Sequence, residues 1–116
     1  MINEYIELVM DDIGCPKHLR GYESLYGMIK RRIEYPYENI TDSYRFVAEL
    51  HETTASATER NIRHLVTWML HNCDYSKIYN YFGNSAPIRG GITNKQFIVT
   101  LATAVKRNAQ SGGKNA

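Results

Sequence analysis

The residues of this chain best suited to chemistry lie in "TTASATERNIRHLVTWML", 53–70, where two arginines, a glutamate and a histidine precede an apolar run. None of them is a nucleophile with an adjacent base. The chemistry on offer is recognition, with guanidinium donors, a carboxylate acceptor and an imidazole side by side. Phosphate oxygens and base edges call for such a set. Metal binding would be a second chemistry, and Cys15–His18 and His71–Cys73 are the tempting clusters. Neither spacing is a familiar zinc pattern. No Gly-rich phosphate loop occurs either, since "SGGK" lies near the C-terminus. The expectation is a protein with no catalytic residue, no cofactor and no metal.

Those residues need a helix to position them. Advancing by about 100° per residue from Ile62 gathers Ala55, Thr58, Ile62, Leu65, Val66 and Met69 on one side. That stripe is the predicted buried face of a helix over about 55–72. Arg60, His64, Thr67 and His71 fall near the opposite pole, with Ser56, Ala57 and Arg63 flanking them. Glu59 lies at the edge of the stripe, one turn before Arg63, and can pair with it. Asn61 sits to one side. Ser56 and Glu59 can form a capping box, with Thr53 and Thr54 as competing caps. A helix that reads DNA needs this layout: its back packs on the domain and its first turns project donors at the groove.

The rest of the chain predicts helices to hold that one. Ile2, Tyr5, Ile6, Val9 and Ile13 recur at helical spacing until Gly14 and Pro16. Leu19, Tyr22, Leu25, Tyr26, Ile29 and Ile33 trace a second helix, whose Gly21 and Gly27 suggest close helix packing. Pro36 breaks the pattern within "YPYEN". A third helix is expected from about Asp42 to His51, on Tyr44, Val47, Ala48 and Leu50. Followed by "HETT" and the 55–72 helix, it reads as helix-turn-helix. Asp74 can cap a short fifth helix through Tyr75, Ile78, Tyr79 and Phe82, ended by Gly83. "NSAPIRGG", 84–91, is a loop by composition. Thr93 and Gln96 suit a capping box, and Ile92 and Phe97 a hydrophobic staple, for a last helix through Val105. Residues 108–116 are expected to fray as a disordered tail. The fold class is all-α, about six helices, with the domain at 1–107.

Composition excludes other classes. A chain of 116 residues with 43% hydrophobic and 22% charged residues is long enough for one core and too apolar for disorder. No apolar run reaches the length of a membrane span, so no membrane partner is expected. The acidic start lacks the form of a signal peptide, and two cysteines are too few for a disulfide framework, which points to the cytoplasm. Residues 1–15 carry −4 of a net +2, leaving +6 on the remaining 101, as an anionic partner would favour. Arg89 and Lys95 could touch phosphate in the manner of a wing. Lys17, Arg20, Lys30, Arg31 and Arg32 read as helix-surface charge, and most of the nine tyrosines as core.

Several separated motifs resemble one family. "TTASATERNIRH" is similar to the recognition-helix region of the stage zero sporulation protein A family, in whose C-terminal effector domain "TTAS", "ER" and "IRH" recur. Gly14, Pro16, His18, Gly21, Tyr22 and Leu25 resemble its "G-P-H-KGY-L" segment. Ile33-Glu34 stands at the family's distance before the threonine pair. "YFG" at 81–83 and "TNKQFI" at 93–98 resemble its "FG" and "TN-FI" segments. The resemblance spans about residues 5–107.

It implies a six-helix, winged-helix-related domain without enzymatic activity that controls transcription in endospore-forming bacteria. It implies double-stranded DNA as partner, bound in short boxes by a tandem homodimer, with RNA polymerase as a further partner. The DNA-binding residues expected on this reading are Ser56, Glu59, Arg60, Asn61, Arg63, His64, Thr67, Arg89 and Lys95. The chain departs from the family at Ala57, where arginine is usual, at Thr58, where an apolar residue is, and at Arg45, where proline is. The family's phosphoacceptor receiver does not occur in these residues, so the chain is either an isolated effector domain or a stand-alone relative. The alternative function is a helical protein-interaction module that has lost DNA binding.

Overall fold

The structure is a computed structural model that describes residues 1–83 and 91–115. Six helices account for most of them: α1 (Ile2–Ile13), α2 (Gly21–Glu34), α3 (Ile40–Leu50), α4 (Ala55–Asn72), α5 (Tyr75–Phe82) and α6 (Asn94–Asn115). Among the described residues there is no strand, and no helix is long and apolar enough to cross a membrane. The fold is all-α, as the periodicities predict.

Local chemistry sets most of the boundaries. Asp74 caps α5 by accepting from the Ser76 N–H at 2.9 Å. The Thr93–Gln96 capping box closes both ways: the Gln96 N–H donates to Thr93 Oγ1 at 3.1 Å and the Thr93 N–H donates to Gln96 Oε1 at 3.0 Å. Asn39 caps α3 through the Thr41 N–H, so that helix starts two residues before the predicted Asp42. α4 departs from the expected cap. Thr54, not Ser56, is its N-cap, accepting from the Ala57 N–H at 3.0 Å. Thr54 is the last residue in an extended conformation, whereas Ser56 already lies inside the helix. A cap must stand just outside the first turn to reach its free N–H groups.

α2 runs through the middle of the domain, packed against α1, α3, α4 and α6. Two glycines permit this. A Cβ on Gly21 would collide with the carbonyl oxygen of Asn61 and lie 2.7 Å from Leu65 Cβ; one on Gly27 would lie 2.9 Å from Val47 Cγ1. The core gathers one face of every helix: Ile6, Val9, Met10 and Ile13 of α1, Leu25, Met28 and Ile29 of α2, Val47 of α3, Ile62, Leu65, Val66 and Met69 of α4, Ile78 and Phe82 of α5, and Phe97, Ile98, Leu101 and Val105 of α6. Tyr22 and Tyr44 are buried too, but Tyr35, Tyr37, Tyr75 and Tyr79 are exposed. The short α5 meets the core through Ile78, Tyr81 and Phe82, which leaves Tyr75 and Tyr79 outside it.

α6 runs on to Asn115, past the point where the tail is expected to fray. No residue from Lys106 to Ser111 is buried, so these turns rest on helix propagation rather than packing. The loop read from 84–91, Arg89 included, lies outside the described residues except for Gly91.

Candidate nucleic-acid interface

α3 and α4, the pair whose spacing suggests a helix-turn-helix, are joined by the turn 51–54. The turn closes with two backbone bonds: the Thr53 N–H donates to Ala48 O at 2.9 Å and the Glu52 N–H to Glu49 O at 3.2 Å. This is a Schellman cap, and it places Glu52 in the left-handed region at φ 55°. Glycine holds the equivalent corner after α1, where Gly14 has φ 93°. A side chain at such a corner is strained by about 1–2 kcal/mol.

α4 then presents two unlike faces. Thr58, Ile62, Leu65, Val66 and Met69 are buried. Thr58 fits an apolar stripe because its hydroxyl donates back to the Thr54 carbonyl at 3.1 Å, leaving no polar atom unpaired. On the other face Ser56, Arg60, Arg63, His64 and Thr67 are exposed, while Glu59 and Asn61 are half-buried at its edges.

The charges on that face are arranged differently from one another. Arg63 Nη1 donates to both Glu59 carboxylate oxygens, at 2.5 and 2.9 Å, along one helical turn. An exposed pair of this kind is worth about 0.3–0.5 kcal/mol and exchanges readily. Among the described residues, no carboxylate pairs with Arg60. Its guanidinium therefore keeps all five donors for a partner. The Thr67 carbonyl lies 2.8 Å from His71 Nδ1, one helical turn on.

α6 attaches beside this face from the far end of the chain. Asn94, the first residue of α6, donates through Nδ2 to the Glu59 carbonyl at 2.9 Å and to Tyr44 Oη at 3.2 Å. One amide thus ties α6 to both α3 and α4, whereas the neighbouring exposed Lys95 lines a groove with Arg32, Phe82 and Gln96 to which α4 contributes no residue. Burial, partly offset by that bond, raises the Tyr44 hydroxyl above its ordinary range, so it stays a neutral acceptor.

The opposite flank carries residues that the helical wheel does not find. Arg20, at the start of α2, lines a groove with Asn61, His64 and Trp68, and a second groove with Asn61, His51 and Thr53. Its position depends on how α2 crosses α4, which the spacing of either helix alone does not encode. The one sequence hint is Gly21, whose missing Cβ permits the crossing. Arg31, grouped with Arg20 as surface charge, is half-buried. It donates to both Glu38 oxygens at 2.8 and 2.7 Å and lies 3.9 and 3.8 Å from the Tyr35 and Phe46 ring centroids. Glu38 also accepts from Ser43 Oγ at 2.7 Å, and the Arg31 and Ser43 bonds hold its carboxyl down to about 2.

Cys73 Sγ donates to the Gly14 carbonyl at 3.4 Å, next to Cys15. Among the described residues, however, no group of three or more ligating side chains converges.

The face as a whole offers donors at its centre, an acceptor at one edge and a cation, Arg20, on one flank. One comparison with known proteins bears on it: the model of the family described as the sporulation initiation factor Spo0A C terminal matches residues 6–105.

Proposed function

The chain belongs to the Spo0A C-terminal family, and from that premise we propose that it is a sequence-specific DNA-binding regulator of transcription, with α4 lying in the major groove. Arg60 reads a base edge at the centre. Glu59 accepts from a base amine once Arg63 swings to phosphate. Ser56, Asn61, His64, Thr67 and Lys95 meet the backbone around them. The observation that carries this reading is Arg60, which among the described residues has no carboxylate partner, on the exposed face of a helix whose other face is fully packed. A bidentate arginine contact to guanine supplies about 1–3 kcal/mol of discrimination.

The protein acts by binding alone, with no catalytic step, and works in the cytoplasm. One helix reads too few base pairs to select a site from a genome. Two copies therefore occupy neighbouring boxes as a tandem homodimer, while the free protein is monomeric. RNA polymerase is the partner through which occupancy becomes regulation.

Selection of bound sequences from random duplex DNA tests the reading, followed by titration on one and on two copies of the enriched box. A short enriched motif, bound more tightly per box when doubled, is the expected result. No enrichment over the starting pool would favour the protein-interaction module.

A further inference from the structure

The flank of α4 away from the α6 attachment holds a cation with no assigned role. Arg20 is exposed and, among the described residues, forms no ion pair. It stands between two grooves. One, of about 290 Å³, it lines with Leu19, Asn61, His64 and Trp68; the other, of about 420 Å³, with Glu23, His51, Thr53 and Asn61. Both grooves open beside Asn61. Glu59, where α6 attaches, lies two residues earlier on α4 and so about 160° around the helix, at about 100° per residue. Arg20 thus stands on the side of α4 away from the α6 attachment.

We infer that Arg20 holds the sugar–phosphate backbone of a DNA strand beside the groove that α4 enters, so that the protein contacts DNA through the start of α2 as well as through α4. The inference rests on the DNA-binding reading above and extends it to α2. The chemistry of the flank suits a backbone strand. His51 and His64 stand on either side of Arg20 as hydrogen-bonding imidazoles, and Thr53 adds a hydroxyl. Glu23 is the one carboxylate lining these two grooves, and it does not close on Arg20. The flank offers hydrogen bonds and charge without a base-reading geometry. Its contribution is therefore the same for every sequence.

The test is fluorescence anisotropy with the full chain on the selected duplex and a scrambled one, at several salt concentrations. Arg20→Gln should weaken both duplexes alike, by about three- to tenfold, and flatten the slope of log affinity against log salt by about one. Arg20→Lys should keep the parent's slope, because it keeps the charge. Glu23→Gln should tighten both duplexes at low salt. Arg20 is exposed, so thermal melts of its variants should overlay the parent's. If Arg20→Gln matches the parent in affinity and slope while Arg60→Ala still loses sequence preference, the inference is wrong and the reading of α4 stands. A loss confined to the selected duplex would also overturn it, since Arg20 would then be reading bases. A parent with no salt-dependent duplex binding would overturn both.

Discussion

Arg31 and Arg60 are the same residue on two helices that touch, α2 and α4, yet their surroundings give them opposite uses. Arg31 has its donors on Glu38 and its plane between Tyr35 and Phe46. It ties the end of α2 to the start of α3, across the break at Pro36, and so fixes α3. Arg60 stands on the exposed face of α4 and, among the described residues, ties to no carboxylate. A cation that is satisfied within the fold builds structure. One left unsatisfied on a rigid helix is held ready for a partner, and little further ordering is needed when that partner arrives.

The comparison depends first on α4 being anchored, and the largest effect should come from its buried side. Ile62 is fully buried two residues from Arg60. Ile62→Ala should cost about 2–5 kcal/mol in a urea melt. A change under about 0.5 kcal/mol would mean that α4 is not held as described, and Arg60 would lose its fixed platform.

The next effect tests Arg31 by pH. Glu38 titrates near 2 in the fold, against about 4.3 in an unfolded chain. Its pairing therefore stabilises the fold fully above the unfolded value and is lost as pH falls through about 2. Glu38→Gln should be less stable than the parent at neutral pH, and the gap should narrow on acidification from about pH 5 towards 2. A gap constant across that range would show that the Arg31 pair does not hold the elbow.

The smallest effect concerns the turn that aims α4. Glu52 is left-handed where glycine would be at ease. Glu52→Gly should raise stability by about 0.5–1 kcal/mol, the relief of strain being partly offset by unfolded-chain entropy. Chemical denaturation measures it, and a destabilised variant would mean that the Glu52 side chain makes a contact outweighing its strain.

These regions differ in how legible they are from sequence. The stripe on Ile62, the cap at Asp74 and the Thr93–Gln96 box are local: the residues that decide them lie within a few turns, and the structure repeats them. The cap of α4 was ambiguous because Thr54 and Ser56 both have the chemistry, and the choice depends on where the backbone leaves the extended conformation. The Arg31–Glu38 pair spans seven residues across a helix break, where the i,i+4 rule has nothing to say. Tyr75 and Tyr79 match an apolar period, but α5 is too short and peripheral to bury them. Arg20 is hidden for a related reason, since only the crossing of α2 over α4 brings it to the face. Periodicity finds the faces of single helices. It does not find what a neighbouring helix adds to them.

The central claim is that the exposed face of α4 reads DNA, with Arg60 on bases and Arg63 on phosphate. Anisotropy titration of Arg60→Ala and Arg63→Ala on selected and scrambled duplexes, across several salt concentrations, tests it most directly. Arg60→Ala should lose about 1–3 kcal/mol on the selected duplex and relax the preference between the two. Arg63→Ala should weaken both alike and lower the salt slope by about one. Both should melt as the parent does. If both variants bind both duplexes as the parent does, α4 does not enter the groove and the claim fails.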